Sequence, residues 1–159
     1  MRALVVLDDC RSALEAVDAA RSEQEFRVRW VALVALLRAV GHVLDKVDGA
    51  STPSFRSAVD ARWKEWQRDR SKHSPFWDFI EAERNSVLKT YESGVAAGDV
   101  QVAVTTDVAP AAFTLDERLF KPLEDGPFAG EDGRDAARGA ISWWENELSK
   151  VSSAASAMR

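Results

Sequence analysis

Hydrophobic residues recur at spacings of three and four along most of this chain, and the breaks between these runs divide it into helices. Asp8 or Asp9 can cap a first helix reaching about Ser22, whose thin apolar edge of Leu14, Val17 and Ala20 predicts a peripheral position. From about Glu23 the pattern thickens. Phe26, Trp30, Val31, Leu33, Val34, Leu37, Val40, Leu44 and Val47 leave few polar directions, so the second helix belongs at the centre of a bundle. Gly49 ends it, and Pro53 resists its continuation through the link.

A third helix runs from about Ser54 to Lys72 on Phe55, Val59, Trp63 and Trp66. Ser74 before Pro75 is a cap followed by a first-turn proline, and it opens a fourth helix to about Ser93, stopped by Gly94. The texture then changes. Alternating valines between Val95 and Thr106 predict one short strand or extended arm, and the stretch from Pro110 to Gly133 reads as a loop anchored by Leu119, Phe120, Leu123 and Phe128. A last helix from about Asp135 presents Ile141, Trp144 and Leu148 and frays through Ser152–Ser156. The expectation is all-α: an up-and-down bundle of four to five helices with an irregular or short β excursion before the last one. It forms a single domain over 1–159, with a core of about 10–94 and 134–150 and the excursion at 95–133.

Composition narrows the partners more than the fold. A chain of 159 residues, 46% hydrophobic and 30% charged, suits one globular domain. Its net charge of -5 removes the general attraction to nucleic acid that basic binders use, so any such contact must be local. The single Cys10 permits no internal disulfide and points to a reducing compartment. The opening residues lack the apolar core of a signal peptide, and the longest apolar stretch, Trp30 to Leu44, is interrupted by Arg38 and His42. These features predict a cytoplasmic protein with no membrane association.

One segment carries candidate chemistry. Tyr91, the only tyrosine, stands seven residues after Arg84, and at about 100° per residue seven steps return to within roughly 20° of the start. On a regular helix both would share a face with Trp77, Ile80, Val87 and Leu88, where a leucine would cost less than an arginine. Such an arginine is either paired with an acid, Glu81 or one on the central helix, or kept for an anion.

Arg84-Asn85, followed by Lys89 and Tyr91, resembles the R-x4-H-x-Y motif of the HEPN superfamily (higher eukaryotes and prokaryotes nucleotide-binding), with Lys89 in place of the histidine. The resemblance covers about eight motif residues and the helical layout. It implies a homodimer in which two such helices form a composite cleft for RNA or nucleotide. Many members are metal-independent endoribonucleases without cofactors, found in toxin-antitoxin or defence systems. By this resemblance Arg84 holds the phosphate, Asn85 supports it, and Tyr91 accepts a nucleotide from a partner nucleotidyltransferase acting as antitoxin. Lys89 stands where a proton acceptor belongs. A lysine ordinarily ionises near ~10.4, far from the value near 7 that suits a general base, so cleavage is weakened at its central residue.

Arg38, His42 and Asp45 lie on one side of the second helix, and His42, its ring oriented by Asp45, is the nearest substitute for the missing histidine, with Arg38 as a further binding residue. The bland reading is a satisfied histidine beside a salt bridge. His73 reads as a solvated loop residue. The chain's two histidines and one cysteine give no metal-ligand spacing, and its glycines give no phosphate loop. Of the six tryptophans, Trp30, Trp63 and Trp77 fall at core spacings, whereas Trp66, Trp143 and Trp144 cannot all face one core and read as a partner surface or as local packing. The alternative to the HEPN-like reading is a non-enzymatic helical interaction protein in which Arg84 is structural.

Overall fold

The computed structural model describes residues 1–105, 111–116 and 119–158; Thr106 and Pro110, at the edges of the predicted strand and loop, lie outside them. The fold is mostly helical, with a two-stranded antiparallel sheet before the last helix, as expected. In chain order it comprises α1 (Arg2–Asp18), α2 (Glu23–Val43), α3 (Pro53–Arg68), α4 (Ala82–Thr90), β1 (Val100–Val104), β2 (Ala111–Leu115) and α5 (Gly133–Ala157). Two π-wound segments interrupt the regular helices: Leu44–Asp48 extends α2, and Pro75–Glu81 leads into α4.

The centre is α2. Trp30, Leu33, Val34, Leu37 and Val40 are all buried, because a helix apolar on most sides is stable only when neighbours cover it from several directions. Local capping sets its start and that of α3: the Ser22 hydroxyl accepts from the Glu25 N–H at 3.1 Å, and the Thr52 hydroxyl from the Phe55 N–H at 3.2 Å. α1 departs from the expectation of a peripheral helix starting at Asp8 or Asp9. It begins at Arg2, buries Ala3, Leu7, Cys10, Leu14 and Val17, and packs on both α2 and α5. Its orphan N–H groups are capped from a distance by Asp48, whose carboxylate accepts from Arg2 at 2.6 Å and Ala3 at 2.8 Å.

α5 also outruns its prediction. It continues to Ala157 because Val151 and Ala155 extend the buried edge past the serines. The predicted strand is real but does not stand alone: Val102 pairs with Phe113 at the centre of a register running from Val100↔Leu115 to Val104↔Ala111. Neither strand packs on a helix, so the hairpin projects from the bundle. The bridge Val95↔Leu123 and the buried Lys121, paired with Glu23 on α2, tie the rest of the excursion down. Leu119, expected as an anchor, is exposed.

Five of the six tryptophans, all but Trp30, form one cluster. Trp66 and Trp144 are buried, and Trp66 meets Trp143 at 5.1 Å and Trp144 at 5.6 Å between ring centroids. Trp63 is the more exposed of the α3 pair, which reverses the expected burial of Trp63 and Trp66. No helix among the described residues is long and apolar enough to cross a membrane.

Candidate functional site

The buried stripe leading into α4 is offset from the expected one. Phe76, Phe79, Ile80, Glu83 and Val87 face the core, placing Glu83 rather than Arg84 at the inward position three residues after Ile80. Arg84 is therefore half-buried at the edge of the face, and Leu88, 58% exposed, lies outside it. Tyr91 is the C-cap, with φ of +58° in the left-handed region, so it leaves the helical path that would have aligned it with Arg84. Its side chain is 62% exposed.

Arg84 has no acid. Its Nη1 donates to the Asn85 side-chain oxygen at 2.9 Å, and no carboxylate among the described residues pairs with it. Glu81, the expected partner one turn earlier, forms an ion pair with Arg38 instead, 3.0 Å from its Nε. Lys89 is exposed in the last turn of α4.

The polar side of α2 enters a separate pocket. Arg38, His42 and Asp45 line a cavity of about 280 Å³ together with Arg56, Asp60 and Trp63. Asp45 does not serve the His42 ring, because its carboxylate is engaged by Lys46 Nζ at 2.8 Å and by Arg56 Nη2 at 2.9 Å. The hydrogen bonds and ion pairs to Lys46 and Arg56 outweigh burial and hold Asp45 below the ordinary aspartate range. Arg84 does not line this cavity.

A larger cleft of about 760 Å³ opens between the start of α2, the Pro75–Glu81 segment with α4, and the loop around Phe128. Among the described residues Glu23, Asp78, Glu83, Glu92, Glu124 and Asp125 line it against a single cation, Arg27, so the field there opposes phosphate.

Besides Asp48, two buried carboxylates escaped the sequence reading. Glu83, 6% exposed, accepts the Trp30 indole N–H at 2.6 Å, the Ser93 hydroxyl at 3.2 Å and the Gly94 N–H at 3.1 Å. A Cβ on residue 94 would lie 2.7 Å from the Glu83 carboxylate, so any larger residue there would push that carboxylate out of its present position. Glu147, 1% exposed, accepts from Arg62 Nη2 at 2.5 Å, Trp66 Nε1 at 2.7 Å and Lys150 Nζ at 2.7 Å. The available signal was the tryptophans themselves, since a buried indole needs an acceptor, and Glu147 follows Trp144 by three residues on the edge already assigned to the core.

His73 is buried rather than solvated. Its Nδ1 accepts from Trp143 Nε1 at 3.2 Å, and burial is the largest influence pushing its imidazole below the ordinary histidine value. Among the described residues no three His, Cys, Asp or Glu side chains come together as metal ligands. No protein-family model matches the chain, nor does any curated protein or solved structure.

Proposed function

We propose that this chain is a HEPN-like helical protein that binds RNA or a nucleotide at the Arg84 face of α4 and works as a homodimer. One observation carries the reading: the half-buried Arg84 guanidinium is steadied by Asn85 yet has no carboxylate partner among the described residues. A planar guanidinium with donors to spare suits bidentate capture of a phosphate, and the exposed Lys89 adds local positive charge. Leu88 and Tyr91 offer apolar surface that a second α4 would cover, bringing two arginines to one cleft.

Binding ranks ahead of cleavage in this proposal, because Lys89 stands where the resemblance calls for histidine and His42 lies in the pocket that Arg84 does not line. If the protein is an enzyme, it is a weak, metal-independent endoribonuclease with Arg84 on the scissile phosphate. Tyr91 projects from the C-cap within reach of a modifying nucleotidyltransferase, a toxin-antitoxin or defence setting follows from the same resemblance, and the lone Cys10 suits a cytoplasmic one.

Anisotropy of a labelled single-stranded RNA, measured without metal, is expected to rise with wild-type protein and to stay flat with Arg84→Ala. Equal binding by both proteins overturns the reading. The exposed α4 surface also supports the purely structural alternative, an interaction protein that uses Leu88 and Tyr91 without a ligand. Light scattering behind size exclusion is expected to find a dimer that Leu88→Glu dissociates; a dimer that binds no RNA selects the alternative.

A further inference from the structure

The pocket beside the C-terminal end of α2 has a chemistry that the α4 reading does not use. Its apolar wall includes the buried Phe76 and Trp66, and Trp63, 37% exposed, stands edge-on to both at centroid separations of 6.0 and 5.9 Å. Arg38 is fixed above this wall. Its guanidinium lies 5.7 Å from the Phe76 ring centroid and its Nε is held by Glu81, while no partner engages Nη1 or Nη2 among the described residues. The outer fork is oriented and unused, the arrangement that receives a carboxylate bidentately. Arg56 is different, because Asp45 and Asp60 occupy its Nη2 at 2.9 and 2.7 Å and the Asp45 carbonyl its Nη1 at 3.0 Å. Both π-wound segments contribute to the pocket: one supplies Leu44 and Asp45, the other Phe76. Such windings occur frequently at functional sites.

We propose that this pocket binds a small planar aromatic carboxylate, with its ring against Trp63 and its carboxylate on the Nη fork of Arg38. The charges select a single negative group. Arg38 and Arg56 balance Asp45 and Asp60 within the lining and Glu81 already pairs with Arg38 Nε, so the site tolerates one carboxylate on the Nη fork, whereas a dianionic phosphate adds a second charge beside two acids already committed to Arg56. The size selects in the same direction. About 280 Å³ lies at the lower edge of the range of roughly 300–1,000 Å³ typical of small-molecule sites, which suits one or two fused rings. His42 at the rim, one turn beyond Arg38, adds a donor near the carboxylate.

Calorimetric titration of the full chain with indole-3-acetate, its neutral analogue indole-3-ethanol and inorganic phosphate tests the site. Indole-3-acetate is expected to bind, the neutral analogue about tenfold or more weakly, and phosphate alone not measurably. Arg38→Met is expected to abolish the preference for the acid over the alcohol. Trp63→Leu, at a partly exposed position that leaves Glu81 paired, is expected to weaken both and guards against misfolding of the first variant. Arg84→Ala leaves the titration unchanged, which separates this pocket from the α4 face. No binding of indole-3-acetate, equal affinity for the alcohol, or unchanged selectivity in Arg38→Met overturns the proposal.

Discussion

The indole N–H of Trp30 reaches 2.6 Å across to the Glu83 carboxylate, joining the centre of α2 to the inner face of α4. Glu83 also receives the Ser93 hydroxyl and the Gly94 N–H, so one carboxylate ties the chain leaving α4 to the bundle core. Removing the indole while keeping an aromatic ring isolates this tie. Trp30→Phe is expected to cost roughly 2–3 kcal/mol, the range for losing a hydrogen bond to a charged buried acceptor together with some packing. Urea unfolding of both proteins measures it, and a loss below about 0.5 kcal/mol, ordinary for a surface change, means that the bond contributes nothing.

Glu147 gives stability a dependence on acid pH. Burial alone would raise its pKa, but Lys150, Trp66 and Arg62 outweigh it and hold the carboxyl below the ordinary glutamate value. The folded value is the lower one, so its contribution is complete above the unfolded value of roughly 4.3 and is lost as pH falls through the folded value. Glu147→Gln is expected to cost about 3 kcal/mol at pH 7, the low end for a broken buried pair because Arg62 keeps some contact with water. The difference between variant and wild type shrinks below pH 4, as thermal unfolding across pH 3 to 7 should record; a difference independent of pH argues against an ionised Glu147.

His73 acts in a higher window. Burial lowers its pKa, with Glu147 opposing and Arg62 and Lys150 adding to the effect. The unfolded chain therefore takes up the proton first, so the stability is complete above about pH 6.5 and is lost as pH falls below it. A proton on Nδ1 would also delete the acceptor used by Trp143. The wild-type Tm is expected to drop between pH 7.5 and 5.5 more steeply than that of His73→Gln; parallel curves refute the assignment.

Cys10 is fully enclosed by the α1 interface, and burial, with Asp9 adding, pushes its thiol up to about 12. The thiolate is the reactive form, so Ellman's reagent at pH 8 is expected to label the folded protein at least tenfold more slowly than the guanidinium-unfolded chain. Equal rates would show that α1 opens freely.

Much of the bundle is written in short-range pattern. The period of α2, its end at Gly49 and the break at Pro53 depend on residues within a turn or two of one another, which is why they are legible without a structure, whereas α4 stops at Thr90, with Tyr91 as its left-handed C-cap, short of the Gly94 expected to end it. The candidate site was legible only as residue types. Arg84, Asn85, Lys89 and Tyr91 were visible as a set, but two stripes one residue apart both satisfied the period of α4, and the choice between them decided whether Arg84 or Glu83 faced the core.

By itself the sequence determined that the chain is mainly helical and roughly where each helix lies, because backbone propensity and periodicity are local, but not which of two adjacent stripes on α4 turns inward. Only the tertiary structure decided that Glu83 meets Trp30, that Glu147 meets Trp66, that Asp48 caps α1 and that β1 finds β2. Those pairings join residues far apart along the chain, and a buried polar group takes whichever partner the packed fold brings within hydrogen-bond distance. Among the described residues Arg84 pairs with no acid for the same reason: packing gave Glu81 to Arg38 and left the guanidinium at the edge of α4 with Asn85.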